Sequence, residues 1–209
     1  NISLGRSSFA PMNTVLPFTC GPVATNCFLF GSQGSPLAVL VDAPYECMKP
    51  VMEACEEYGW TLSDIILTHT HWDHTADCGK LQACTGAHVL VHEADAYRLI
   101  EPMEHTLWPL PFTIDPVTEF FQLGGDRGII EVCKGAYSLP WIHTPGHTEG
   151  GICIIDAPND RLYAGDTLFA GSIGRTDLPG GNMEQLCSSI KERVFCLPDS
   201  MTVFTGHGP

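Results

Sequence analysis

Residues 64–74 read DIILTHTHWDH and join an apolar run to a dense cluster of metal-binding side-chain types. The first five residues have the length and β-branched content of a short buried strand, so they predict a strand that ends where the cluster begins. Extended backbone directs residues i and i+2 to one face, so His69 and His71 can hold the same ion. Asp73 and His74 follow at the turn into a predicted helix and point toward a second position nearby. One histidine here would indicate a polar surface loop, but three with an aspartate favour a metal site.

Later in the chain, each of three segments places one more candidate ligand in a glycine-flanked turn after a predicted strand. His147 follows the strand 139–143, Asp166 follows 161–163, and His207 follows 201–204. Glycine lets the backbone bend sharply at such a turn, so that one side chain can project into a cleft. Each turn is weak evidence when taken alone. With the histidine cluster they predict that four strand ends carry the ligands of one site.

These motifs resemble the metallo-β-lactamase superfamily and, within it, the glyoxalase II-like hydrolases. The matching residues are HTHWDH at 69–74, GHT at 146–148, GDTLF at 165–169 and GHGP at 206–209. The run GSIGRTDLPGG at 171–181 looks like the compact, single-domain members of that group. The resemblance implies an α/β fold, the four-layer αββα metallo-β-lactamase sandwich. We therefore expect an N-terminal extension over residues 1–11 and a metallo-β-lactamase domain over residues 12–209.

The resemblance also implies two adjacent metal sites with two divalent ions per chain, of zinc, iron or manganese. The first ion would take three histidines, the second would take an aspartate and two histidines, and one aspartate would bridge them. In that order the implied ligands are His69, His71 and His147; Asp73, His74 and His207; and Asp166. A water between the ions would be deprotonated near neutral pH and attack a carbonyl that the ions polarise. Asp73 would also orient this nucleophile and is therefore expected to be catalytic.

The resemblance implies a glutathione thioester of the S-lactoylglutathione type as the small-molecule substrate. Arg175 lies in the GRTD segment at 174–177, where glyoxalase II-like enzymes often carry a basic residue near the glutathione moiety. Two roles stay open for Arg175: binding of the substrate, or a structural bridge to Asp177 across the turn. Trp72 and Trp108 either line the substrate cleft or serve packing, which is the commoner reason for such aromatics.

A second enzyme class on the same fold is the persulfide dioxygenase group, which are mononuclear iron oxidoreductases. They share the first histidine motif and a GRTD loop, but use one iron held by two histidines and one aspartate. Their last motif typically reads GHDY, whereas this chain has GHGP at 206–209, which favours the dinuclear hydrolase. A true β-lactamase is disfavoured because Asp166 stands where lactamases generally carry cysteine or serine.

Charge and composition restrict the partners. The net charge is −14 and lysine plus arginine total only 10, so no basic track is available for a nucleic acid. Apolar runs such as 37–41 and 151–155 have the length of strands, far short of a membrane span. The ten cysteines are scattered without a Cys-x-x-Cys pair, and no leader pattern precedes Met12, so we expect a reducing cytoplasm. No feature of the sequence specifies an oligomeric state.

Amphipathic patterns predict helices over residues 46–58, 75–84, 93–100 and 183–195, with strands before and between them. The remaining histidines, His88, His92, His105 and His143, have no vacant metal role because the implied ligand set is already full. Trp141 is expected in the core.

Overall fold

The computed structural model describes residues 14–32 and 34–209, so the expected boundary at Met12 lies outside the described residues. The strands are β1 (Thr14–Cys20), β2 (Thr25–Gly31), β3 (Leu37–Val41), β4 (Thr61–Ile66), β5 (His88–His92), β6 (Phe121–Leu123), β7 (Arg127–Val132), β8 (Tyr137–His143), β9 (Ile152–Asp156), β10 (Arg161–Gly165), β11 (Leu168–Phe169), β12 (Ser172–Ile173) and β13 (Thr202–Thr205). The helices are α1 (Met48–Tyr58), α2 (Trp72–Thr75), α3 (Cys78–Thr85), α4 (Tyr97–Ile100) and α5 (Met183–Ser189).

The strands form two large sheets and one small ribbon. The first sheet has six strands in the order β1-β2-β3-β4-β5-β6; its first two pairings are antiparallel and the other three are parallel. The second has five strands in the order β13-β10-β9-β8-β7, with β10 and β13 parallel and the remaining pairs antiparallel. Strands β11 and β12 pair with each other after the second sheet's β10.

Three apolar layers hold the sheets and helices together, and strand alternation distributes the side chains among them. In β2, Cys27 and Leu29 face the layer between the first sheet and the helices α1 and α3. Phe28 and Phe30 point the other way, into the layer between the two sheets, where Tyr163 of β10 stacks on Phe30 with ring centroids 5.4 Å apart. A third layer lies between the second sheet and the helical segment after α5. These layers are those of the αββα metallo-β-lactamase sandwich, which confirms the expected fold class.

The helices were predicted at the right places, and local contacts explain their different ends. Helix α1 begins at Met48 rather than at Glu46, because Glu46 has a φ of +67° and cannot be helical. The predicted helix over 75–84 corresponds to α3, which begins only at Cys78. Thr75 instead ends α2, and the two helices stay separate because the His74 carbonyl and the Asp77 amide bond to the backbone of Ala43. Helix α5 ends at Ser189 and continues as a π-helix over Ile190–Val194.

Helix α4 is much shorter than the predicted 93–100, because residues 93–96 form turns. The Glu93 amide donates to Leu123 O and is thereby committed to the neighbouring β6. The strand predicted over 64–68 also ends earlier, at Ile66, since the Thr68 amide turns to the carboxylate of Asp42. Trp141 is buried in the core as expected. Within the described part of the chain, no helix has both the length and the hydropathy needed to cross a membrane.

Gly79 lies where α3 crosses the backbone of residues 115–116, and we predict that alanine there destabilises the protein. A Cβ at this position would meet Asp115 O at 2.5 Å and Pro116 O at 2.8 Å. The gain in helix propensity is about 1 kcal/mol, whereas overpacking typically costs about 1–3 kcal/mol. Urea unfolding should therefore show Gly79→Ala less stable by about 1 kcal/mol, the typical size of such an effect.

The control for this variant is Ala83→Gly, at an exposed position of the same helix. This variant measures helix propensity alone, and it should lower the free energy of unfolding by about 1 kcal/mol. A Gly79→Ala protein as stable as the wild type, or more so, would contradict the close approach of α3 to residues 115–116.

Candidate metal centre

Four strand ends meet at one edge of the sandwich and carry the candidate ligands. His69 and His71 follow β4, whose parallel neighbours end at the same edge of the first sheet. His147, Asp166 and His207 follow β8, β10 and β13, three strands of the second sheet that run in the same direction. The convergence follows from the topology, because strands that run alike bring their carboxyl ends to one edge.

Three histidines form the first ligand group. The ligand atoms of His69, His71 and His147 all lie within 4.8 Å of one another. His71 Nδ1 is 2.9 Å from His147 Nε2, and the ring centroids of His69 and His147 are 4.8 Å apart. His69 and His71 lie beyond the end of β4, where the cluster was predicted to begin, and the backbone of His71 is extended with φ −63° and ψ +146°.

The second group contains Asp73 and His74, which belong to the short helix α2, and His207. Asp73 Oδ2 is 3.2 Å from His207 Nε2 and 3.5 Å from His74 Nε2. Asp166 lies between the two groups. Its Oδ1 is 3.4 Å from His74 Nε2, while its Oδ2 is 3.4 Å from His147 Nε2 and 3.5 Å from His207 Nε2.

The hydrogen bonding of the described residues tests whether this cluster fits a metal. His69 Nε2, His74 Nε2 and Asp166 Oδ1 are buried and have no hydrogen-bond partner in the protein. An orphaned buried polar atom is costly, and native proteins rarely leave several together. All three atoms belong to the side chains that converge here, and imidazole nitrogen with carboxylate oxygen suits zinc and iron. The residues present therefore fit divalent metal ions.

The two groups differ in charge. Burial lowers the pKa values of His69, His71 and His147, that of His71 to about 3, and the neighbouring imidazoles lower them further. These histidines are neutral at ordinary pH, the form that binds metal. Burial also disfavours the charged form of His74 and His207, but the carboxylates of Asp73 and Asp166 outweigh it and raise both pKa values. The second group is thus the more negative environment.

Partners behind the histidines fix which nitrogen faces the centre. His147 Nδ1 donates to Arg175 O at 2.7 Å, which leaves Nε2 free to face the cluster. His74 Nδ1 donates to Asp42 Oδ2 at 2.8 Å, and the same carboxylate accepts from the amide and the hydroxyl of Thr68. Outer carboxylates and carbonyls of this kind orient ligand histidines in metal sites. Asp42, which is not a ligand itself, was missed in the sequence analysis, although it follows β3 in the same way as the candidate ligands follow their strands.

Asp95 is a second missed residue, and it ties two ligand loops together. Its buried carboxylate accepts from the amide of Thr70, which lies between His69 and His71. It also accepts from Thr148 Oγ1 at 2.8 Å and from the Gly150 amide at 2.6 Å, both just after His147. Arg98 balances this charge, because its Nη1 donates to Asp95 Oδ1 at 3.0 Å. Asp95 therefore sets the spacing between the two halves of the first ligand group.

The turn that carries His207 is held from β2. The side-chain Nδ2 of Asn26 donates to Thr205 O at 3.1 Å and to Gly208 O at 2.8 Å. The backbone N–H of Asn26 donates to Gly206 O. Glycine is required at 206, because a Cβ there would collide with Asp166 Oδ1 and with the His74 ring. Thr25 Oγ1, from the same strand, donates to Asp73 Oδ2 at 2.9 Å.

A cleft of about 300 Å³ opens over the cluster. Both Trp72 and Trp108 border it, in agreement with the first of their two expected roles. Arg175 borders it as well, but its Nε and Nη2 each donate to the Asp177 carboxylate at 2.7 Å, which is the bridge expected under its structural role. The other histidines lie elsewhere, except that His105 is at the rim.

The family model for the metallo-beta-lactamase superfamily matches residues 20–207, so the chain belongs to that superfamily. An uncharacterised protein of Mycobacterium leprae is 33% identical over 198 residues, covering 91% of this chain and 89% of the relative. A probable metallo-hydrolase of Bacillus subtilis is 31% identical, with 90% and 87% covered. A hydroxyacylglutathione hydrolase of Rhodospirillum rubrum is 34% identical over 159 residues, but the match covers 76% of this chain and only 53% of the relative.

Solved structures agree with this assignment. The B3 metallo-beta-lactamase BLEG-1 superposes with a TM-score of 0.85 at 27% identity, covering 94% of this chain and 92% of that one. TTHA1623, solved in a di-iron-bound form, gives a TM-score of 0.69 at 29% identity, with 93% of each chain covered.

Because Asp42 and Asp95 act behind the ligand histidines, we predict that Asp42→Asn and Asp95→Asn each weaken zinc binding. Loss of such an outer partner typically costs about 10–100-fold in metal affinity. The measurement is competition for zinc against a chromophoric chelator, with the thermal midpoint recorded in parallel.

Asp156→Asn provides the matched control, since Asp156 is equally buried but its partners Tyr137 and Asn159 lie away from the cluster. This variant should lose stability and keep its zinc affinity. Wild-type zinc affinity in both Asp42→Asn and Asp95→Asn would show that these carboxylates do not position the ligands.

Proposed function

We propose that this chain is a dinuclear metal-dependent hydrolase that cleaves a glutathione thioester. The first ion would be held by the three-histidine group and the second by the group that contains Asp73. Asp166 would serve both ions. Zinc, iron or manganese would suit these donors, and the di-iron form of TTHA1623 supports iron as one of the choices.

The position of Asp166 carries this proposal. Its Oδ1 lies 3.4 Å from His74 Nε2, while its Oδ2 lies 3.4 Å from His147 Nε2 and 3.5 Å from His207 Nε2, so the carboxylate reaches both groups. A carboxylate that reaches both groups could serve both ions and would reduce the repulsion between two neighbouring dications. Seven candidate ligands also exceed the four that one tetrahedral ion uses, which supports two ions.

Hydrolysis is the reaction that these side chains favour. Of the described residues that line the cleft, none is a serine, cysteine or lysine that could act as a covalent nucleophile. Two divalent ions, when bound, would lower the pKa of water and polarise the attacked carbonyl. We assign to Asp73 the orientation of the attacking water. The hydroxyl of Thr25 fixes this carboxylate by donating to Oδ2 at 2.9 Å.

The glutathione thioester rests on the relatives and on Arg175. The hydroxyacylglutathione hydrolase of R. rubrum supports this substrate class, although the chain spans only 53% of that protein. Arg175 would release the carboxylate of Asp177 and bind a carboxylate of glutathione in its place. The exchange is cheap because the Arg175–Asp177 pair is exposed, and exposed ion pairs contribute little.

The other partner proposals follow from charge and cysteine chemistry. A net charge of −14 opposes binding of nucleic acid and leaves a small molecule as the partner. We place the reaction in the reducing cytoplasm. Two observations support this location: all ten cysteines are free, and none of them is among the candidate metal ligands.

Removal of the shared carboxylate should disturb the centre more than removal of one terminal ligand. We predict that Asp166→Ala retains less than one ion per chain, whereas His207→Ala retains about one, because the Asp166 carboxylate lies 3.4 Å from a histidine of each group. Turnover should fall by more than about 100-fold in Asp166→Ala, since even outer partners cost about 10–100-fold. Elemental analysis of proteins purified without chelator, with the wild type at two ions, provides the measurement.

Two results would overturn this assignment. Asp166→Ala with two ions and near-normal turnover would exclude the bridging role. One iron per wild-type chain, with oxygen consumption on glutathione persulfide, would identify the alternative mononuclear dioxygenase.

The reaction is tested directly with S-lactoylglutathione and other acyl-glutathiones on fully metallated enzyme. We expect release of one free thiol per thioester cleaved, followed with a thiol-reactive dye, and loss of that release in Asp73→Asn, which also removes a ligand of the second ion. Absence of thiol release from every thioester by protein that carries two ions would refute the substrate proposal and leave the metal centre intact.

A further inference from the structure

Four large apolar side chains that remain well exposed converge on the rim of the catalytic cleft. Trp108, Leu107, Val23 and Tyr97 are 47%, 46%, 44% and 41% exposed, and all four line the cleft. Single exposed apolar residues are ordinary on protein surfaces, but a group at the mouth of one cleft marks a binding surface. We call these four residues the apolar rim.

The segment that presents Leu107 and Trp108 is anchored to the body of the protein. Phe112 stacks on Tyr45, with ring centroids 3.7 Å apart and planes inclined by 11°. The same ring approaches Trp72 of α2 at 6.0 Å. At the far end of the segment, the Val117 amide donates to Leu99 O. The chain that follows Trp108 is therefore anchored to the body of the protein at two points, Phe112 and Val117.

The cations of the cleft are already engaged by carboxylates. Arg98 is buried and donates to Asp95 at 3.0 Å and to Glu149 at 2.6 Å, so it has no free face for a charged ligand. Among the described arginines and lysines of the cleft, only Arg175 is exposed, and its partner Asp177 is exposed with it. A substrate thus meets one available guanidinium and a much larger apolar area.

We propose that the apolar rim binds the acyl group of the substrate and that Trp108 determines specificity for an aromatic or branched aliphatic acyl group. The inference rests on the proposed function, in which Arg175 takes the charged glutathione half and leaves the rim to the other half. Trp108 is the largest member of the rim, and an aromatic ring offers the most contact area at little entropic cost.

A series of acyl-glutathiones that differ only in the acyl group tests this assignment. The wild type should show a kcat/KM for S-phenylacetylglutathione at least about tenfold above that for S-acetylglutathione, in the range that apolar pockets achieve. In Trp108→Ala this ratio should fall to near one, because kcat/KM for the phenylacetyl ester falls much more than kcat/KM for the acetyl ester. S-lactoylglutathione is the small polar reference and should follow the acetyl ester.

Phe121→Ala is the matched control, because Phe121 is an aromatic with 58% exposure on β6, outside the cleft. It should leave the acyl preference unchanged. Equal losses for all esters in Trp108→Ala, or a wild type without acyl preference, would overturn the inference.

Binding separates this inference from the proposed function. S-benzylglutathione and S-methylglutathione cannot be hydrolysed, and calorimetry should give at least about tenfold tighter binding of the benzyl compound to the wild type only. Tighter binding of the benzyl compound without thiol release from any thioester would support the apolar rim as a binding surface and refute the hydrolase proposal. Thiol release with equal affinities for both thioethers would reject the rim and retain the hydrolase.

Discussion

The structure depends on one physical constraint: several imidazole and carboxylate groups are buried together without enough hydrogen-bond partners. His69 Nε2, His74 Nε2 and Asp166 Oδ1 lie in the interior and make no hydrogen bond, although His74 Nε2 and Asp166 Oδ1 are only 3.4 Å apart. In water such atoms would be solvated, so burial is tolerable only if another favourable interaction replaces that solvation. Divalent ions would provide it, and this is why the centre and the fold have to be explained together.

The rest of the sandwich can be understood as support for that cluster. The two sheets bring four strand ends to one edge, and a buried polar side chain supports each part of the ligand set. Asp42 holds His74, Asp95 joins the loops of His71 and His147, and Asn26 holds the turn of His207. Because each support links segments distant in sequence, the site forms only when both sheets have assembled. A dinuclear centre requires such hydrogen bonds, because they fix the positions of its ligand side chains.

Sequence reasoning located the candidate ligands because they are short-range signals. The histidines at 69, 71 and 74 fall within six residues of one another, and the remaining ligands lie in turns that glycine marks. The supports could not be found in the same way. Asp42 is 32 residues from His74, and Asp95 is 55 residues from Gly150, so their roles depend on the tertiary structure. The same limit explains the helix ends, since the separation of α2 from α3 depends on the backbone of Ala43.

The central claim is that the seven side chains hold two ions with Asp166 between them, and anomalous diffraction tests it most directly. Crystals grown with zinc would be measured on both sides of the zinc absorption edge. We expect two anomalous peaks, one within ligand distance of His69, His71 and His147, and the other near Asp73, His74 and His207, with Asp166 contacting both. A single peak at full zinc occupancy, or two peaks without a shared Asp166, would contradict it.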